Sequence, residues 1–225
     1  MRIILIPGLG EDEFIFDKII AELPGDKLVL SLWKLLPDRH VADLNVVQFA
    51  RELVARYKIT DKDVMIGHSA GGWVAVYIRQ ITGCPVVQVS SWTDSRKVIV
   101  PVRNRHLIYF TARTGLYLNR LVLWWSVKKY YKDKPSLPVF RKVFNRLVTG
   151  NRANAVNQLR LIFNPRPERL EAEPNLRIHA IQDAVIRFPD GEVQEVPGDH
   201  FSIYTYPETV IDPIRKFLTD LYAHA

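Results

Sequence analysis

An α/β fold around a mostly parallel sheet of about six strands is the class this 225-residue chain predicts, and three observations carry it. Six short apolar runs rich in Val and Ile alternate with segments of helical period. The runs are near-continuous rather than alternating, as strands covered on both faces require. Turn residues bound each run, so strand, helix and strand follow one another as in crossover units that place helices on both faces of a sheet.

In chain order the expected strands are IILIP (3–7), KLVLSLW (27–33), DVMIGH (63–68), PVVQVSS (85–91), LRIHAIQ (176–182) and EVQEVPG (192–198). Between them, helices are expected over Phe14 to Leu23, over Val41 to Tyr57 with Val46, Val47, Phe49, Ala50, Leu53 and Val54 as its apolar face, and over Ala70 to Thr82. Pro207 opens a last helix reaching Leu221, Pro being suited to a first helical turn. The alternation breaks between Ser95 and Asn164. This stretch lacks a central strand and holds an aromatic helix candidate, LYLNRLVLWWSVKKYY, then helical patterns around Val139 to Val148 and Arg152 to Phe163. Long insertions between strands are commonly functional, so residues 95–164 read as a helical cap, or lid. Residues 1–94 and 165–225 then form the core of a single structural domain.

Composition is that of a water-soluble globular chain, 48% hydrophobic and 24% charged. One cysteine, Cys84, excludes an internal disulfide and fits a buried thiol in a reducing compartment. The N-terminus MRIILIPGLG is too short in apolar residues for a signal peptide, and no run has the length of a membrane span, so a cytoplasmic location is expected. Charge is uneven. Between Arg96 and Arg152 fourteen Lys or Arg stand against one acid, Asp133, a net +13, while the rest has 17 basic against 23 acidic residues, −6.

Chemistry enters with GHSAGG at 67–72. A strand ending in G-x-S-x-G and turning at once into a helix lifts the serine above the sheet at the helix N-terminus, and Gly67 and Gly71 leave room for the turn. Ser69 is therefore the expected nucleophile. Its base should follow later in the chain. Of six histidines, His68 should point beneath the turn, His179 falls mid-strand, and His40, His106 and His224 fall in a loop, the insertion and the tail; His200, in VPGDHFSIY after the last strand, is the expected base. Asp183, leaving the end of the preceding strand, is the expected acid, Asp94 is the other place for it, and Asp199 should point away from its neighbour. Two main-chain N–H groups must receive the oxyanion of an acyl transfer. Ala70 after the nucleophile and Leu9 in the PGLG turn are expected to supply them, with Gly8 and Gly10 allowing close approach.

Taken together, PGLGEDEFIFDKI, GHSAGG, IHAIQDAVI and GDHFSIYTYPETVIDPIRKFL resemble, in order along the whole chain, the α/β-hydrolase superfamily, in particular its small bacterial members. The resemblance implies hydrolysis of carboxylic esters, thioesters or amides through an acyl-enzyme, with no metal and no cofactor. The chain departs from the pattern at Pro7-Gly8, where His-Gly is usual, at Ala180, where Gly is frequent, and in the short spacing of 17 positions from Asp183 to His200. A ligand-binding protein that keeps the pocket, or a lyase on the same three residues, would share the motifs. The expected partner is a small-molecule ester or thioester, anionic or lipid-like, and no nucleic acid. Leu121, Leu123, Trp124 and Trp125 are expected either to pack over the sheet edge or to line an acyl pocket, with the basic rim of the cap attracting anionic substrate or a lipid surface without spanning it.

Overall fold

The computed structural model describes residues 2–223. Six parallel strands, β1 (Arg2–Ile6), β2 (Asp26–Val29), β3 (Val64–His68), β4 (Val86–Val89), β5 (Leu176–Ala180) and β6 (Gln194–Val196), form one sheet in the order β2-β1-β3-β4-β5-β6. The central strand β3 is buried at every residue, which is why its sequence shows no polar alternation. The helices are α1 (Leu32–Leu35), α2 (Val46–Tyr57), α3 (Ala70–Thr82), α4 (Arg105–Thr114), α5 (Arg120–Ser126), α6 (Leu137–Thr149), α7 (Arg152–Phe163), α8 (Ser202–Thr205) and α9 (Pro207–Ala223). Two apolar clusters hold the sheet. Ile4, Ile6 and Met65 face α2 and α3 on one side, and Ile3, Leu5 and Ile66 face Phe16 and the α9 residues Val210, Ile211 and Ile214 on the other.

Four departures from the sequence pattern have physical causes. Residues 14–23 wind as two 3-10 turns, Glu13–Phe16 and Ile20–Glu22, the first capped by Asp12, whose side chain accepts from Phe14 N at 3.2 Å. The run 27–33 leaves the sheet at Val29, and Leu32 is buried from the helical turn α1 instead. Helix α2 starts only at Val46, where Asn45 accepts a hydrogen bond from Gln48 N at 3.1 Å as its N-cap. Helix α4 lies in a stretch where no helix was expected. Asn104 caps its start, accepting from His106 and Leu107 N, and Gly115 ends it in the left-handed region.

All four helices α4 to α7 lie between β4 and β5. Helix α7 is bound to the core by buried amides. Asn154 Nδ2 donates to Leu36 O at 2.8 Å and Asn157 Nδ2 to Arg39 O at 2.8 Å, while α3 donates from Trp73 Nε1 to Leu161 O at 2.9 Å. Helix α5 behaves otherwise. Its Val122 and Leu123 pack against the cluster of Phe144, Leu147 and Leu159, and the π-helical turn Val127–Tyr131 continues it. Leu121, Trp124 and Trp125 do not pack over the sheet edge. They are exposed, because the inward side of α5 is already filled by its neighbours on the helix.

Candidate active site

Strand β3 and helix α3 meet at Ser69 with no intervening loop, and the junction holds Ser69 at φ 51°, ψ −123°, a backbone region costly for a residue with a Cβ. The strain is held from several sides. A Cβ on Gly71 would come within 1.9 Å of Ile6 O, and one on Gly8 within 2.8 Å of the Ser69 Cβ, so both turns are packed to the limit of glycine. Ser69 N donates to Val89 O at 3.0 Å and Ser91 Oγ donates to Ser69 O at 2.7 Å, fixing the peptide on both sides of the side chain.

The structure brings Ser69, His200 and Asp183 together. Ser69 Oγ lies 3.0 Å from His200 Nε2, and His200 Nδ1 lies 2.8 Å from Asp183 Oδ2. An ionised carboxylate only accepts, so Nδ1 carries the ring proton and Nε2 is left to accept from the serine hydroxyl. Asp183 turns off the end of β5 and is oriented by its second oxygen, which accepts from Val185 N at 2.7 Å and Ile186 N at 2.9 Å. The 17-residue spacing needs no helix. The chain between β5 and β6 is pinned against the segment after β4, with Ile99 N donating to Val185 O at 2.8 Å and Arg187 N to Lys97 O at 2.9 Å. All three side chains are buried, Ser69 at 6% exposure.

Charge follows this geometry. Burial opposes protonation of His200, but the adjacent Asp183 carboxylate outweighs it and holds the imidazole above its ordinary pKa. Burial likewise works against the Asp183 charge, and His200, with the Ile186 main-chain donor, holds the carboxyl below its ordinary value. His179 is buried beside them, its Nε2 3.4 Å from Asp183 Oδ2 but not aligned for a hydrogen bond, and burial pushes its pKa down. His179 is thus a neutral neighbour of the acid as well as a core residue.

The remaining candidates lie elsewhere. Asp94 caps the turn Ser95–Lys97 and is held by Arg96 through its main chain at 2.9 Å and its guanidinium at 2.7 Å. Asp199 accepts from Phe201 N at 3.1 Å and lies 3.7 Å from Lys134 Nζ, facing away from the imidazole that follows it. His106 is exposed on α4, and His224 lies outside the described residues. Cys84 is a buried thiol whose pKa burial raises to about 11, which keeps it unreactive.

Two residues of the site escaped the sequence reading. Glu11, 1% exposed, accepts from Gly8 N at 2.6 Å and sits 2.8 Å from His68 Nδ1, while His68 Nε2 donates to His200 O at 2.9 Å. Gln158 of α7 accepts from Gly10 N at 3.0 Å. Of the three consecutive N–H groups in the PGLG turn, those of Gly8 and Gly10 are therefore taken, and Leu9 N is left without an acceptor among the described residues, as is Ala70 N at the head of α3. The signals were present but faint. Glu11 is an acid directly after a glycine turn, and Asn154, Asn157 and Gln158 form a polar i, i+3, i+4 stripe on a helix whose other residues, Arg152 and Arg160 aside, are apolar. The ligand-type atoms of Glu11, His68 and His200 lie within 4.8 Å of one another, the spacing of a metal site, and hydrogen bonds to Gly8, Ser69, Asp183 and the His200 carbonyl account for the cluster.

No family model matches the sequence, and no curated protein matches it. Solved structures match over nearly the whole chain. The enol-lactonase from Burkholderia xenovorans superimposes with a TM-score of 0.71 at 18% identity, covering 97% of this chain and 91% of that one. A hydrolase from Oleispira antarctica gives a TM-score of 0.69 at 11% identity over 97% and 90% of the two chains. The RedJ thioesterase of prodiginine biosynthesis in Streptomyces coelicolor gives 0.57 at 15% identity over 95% and 84%. The chain has the α/β-hydrolase fold: one parallel six-stranded sheet between helices, as in these structures.

Proposed function

We propose that the protein is a serine hydrolase that cleaves carboxylic esters or thioesters through an acyl-enzyme. The observation that carries this reading is the Ser69 Oγ to His200 Nε2 contact of 3.0 Å made by a serine in a strained strand-to-helix turn. Ser69 Oγ attacks the acyl carbon while His200 Nε2 takes its proton, and Asp183 holds the imidazolium that forms. The carbonyl oxygen, now negative, is received by Leu9 N and Ala70 N, with the N-terminal end of α3 adding its positive dipole. As the tetrahedral intermediate collapses, His200 returns the proton to the departing alcohol or thiol. Water then repeats the sequence on the acyl-serine and releases the acid. The segment 95–164 acts as the cap of this site: Leu9 packs against the cluster that Phe144 and Leu147 of α6 form with Leu159 of α7.

The names of two of the similar structures, an enol-lactonase and a thioesterase, fall in the reaction class proposed. The test is labelling by a fluorophosphonate together with hydrolysis of short p-nitrophenyl esters. Ser69→Ala is expected to lose both, and labelling that persists in that variant would refute the assignment.

A further inference from the structure

We infer that the outer face of helix α5 and the turn that continues it is a docking surface for an anionic lipid bilayer. Leu121, Trp124 and Trp125 are 79%, 62% and 49% exposed. Singly exposed apolar residues are ordinary, but two indoles and a leucine contiguous at i, i+3 and i+4 form a patch of the kind that marks an interaction site. The inward side of the same helix is already satisfied by Phe144, Leu147 and Leu159, so the patch is a second apolar face and not a core face left open.

Its charge identifies the partner. The face continues at i+7 and i+8 into Lys128 and Lys129, whose ammonium groups lie 5.3 Å over the ring of Trp124 and 4.7 Å over that of Trp125. Arg120 stands exposed at the other end. None of these three cations makes an ion pair among the described residues, and the basic stretch 96–152 contains only one acid, Asp133. Indole rings that reach the acyl boundary beneath ammonium groups at headgroup level are the composition of an interfacial helix. A second copy of the chain fits poorly, since a two-fold contact through this face would set three unpaired cations against three. Among the described residues no helix is long and apolar enough to cross a membrane, so the contact is peripheral.

The surface is independent of Ser69, so its test does not need turnover. Full-length protein is mixed with sucrose-loaded vesicles of phosphatidylcholine alone or with roughly one third phosphatidylglycerol, at low salt and at about 0.5 M salt, where the Debye length falls below about 5 Å. Co-sedimentation with the anionic vesicles only, weakened by salt, is expected. Lys128→Gln/Lys129→Gln should lower the partition coefficient ~30-fold, near a fivefold loss per cation. Trp124→Ala/Trp125→Ala should lower it about tenfold or more and abolish quenching by brominated lipid, with hydrolysis of a soluble ester unchanged. No co-sedimentation, equal binding to neutral vesicles, or an unaltered Trp124→Ala/Trp125→Ala variant overturns the inference. A concentration-dependent dimer that this variant loses overturns it in favour of a second copy.

Discussion

Helices α7 and α5 belong to the same inserted segment, 95–164, yet treat their side chains in opposite ways. Helix α7 buries Asn154, Asn157 and Gln158 completely, while α5 leaves Leu121, Trp124 and Trp125 in water. The contrast is one of available partners. The chain from Trp33 to Val41 runs past α7 with carbonyls and an N–H outside any strand, and the amides of Asn154 and Asn157 satisfy them, which makes polar burial favourable there. Among the described residues no element passes over the outer face of α5, so its rings stay exposed. One helix is a clamp that reaches the Gly10 turn of the site, and the other faces outward. Changes along α7 should therefore be felt in stability and turnover, and changes on the α5 face in neither.

The scale is set by the site itself. Asp183→Asn is expected to lower kcat roughly 10⁴-fold, because an amide cannot hold the imidazole in its working tautomer, whereas Asp94→Asn, on a surface turn, should stay within about twofold. A dead Asp94 variant with an active Asp183 variant would place the acid after β4, one strand earlier. On the clamp, Asn154→Ala leaves two main-chain carbonyls and the Gln158 amide without partners and is expected to cost about 2–3 kcal/mol in urea unfolding. Gln158→Leu should lower kcat about tenfold with KM little changed, since it frees Gly10 N and loosens the turn carrying Leu9 N without removing a donor, which costs more. An equal fall in thermal stability and no change in kcat would make Gln158 a packing residue only.

The pH profile gives a smaller and separately readable effect. His200 must be neutral to take a proton, and its pKa is raised, so kcat/KM should climb with pH through a limb lying above the ordinary imidazole value of about 6.5. In Asp183→Asn the largest raising charge is gone and burial remains, so the limb of the residual activity should move to lower pH. At the far end of the scale, Trp124→Ala/Trp125→Ala should change the unfolding free energy by less than about 0.5 kcal/mol, the range of exposed substitutions. A loss near that of Asn154→Ala would show that α5 packs inward after all.

The parallel sheet was legible because strands covered on both faces need continuous apolar sequence, and helix α3 because its start is fixed by the serine turn. Less was legible in the helical segment. Helix α4 went unplaced although Asn104 and Gly115 mark its ends and its apolar residues recur at helical spacing; of its side chains only Ala112 is buried, so it contributes little to the core from which the other helices were read. Leu121, Trp124 and Trp125 were expected over the sheet edge or in an acyl pocket, and composition says which residues are apolar but not which way a helix turns them.

Local sequence alone determined the order of the strands, the glycine turns around Ser69, and the places of His200 and Asp183 at the ends of strands, since each depends on a repeat period or on a few neighbouring residues. Only the tertiary structure decided which acid meets His200, that Glu11 and Gln158 claim the N–H groups on either side of Leu9, and which face of α5 remains uncovered. Gln158 and Gly10 are 148 positions apart. No period links them: the contact exists because α7 docks over the turn after β1, and that docking is settled by the packing of the whole chain.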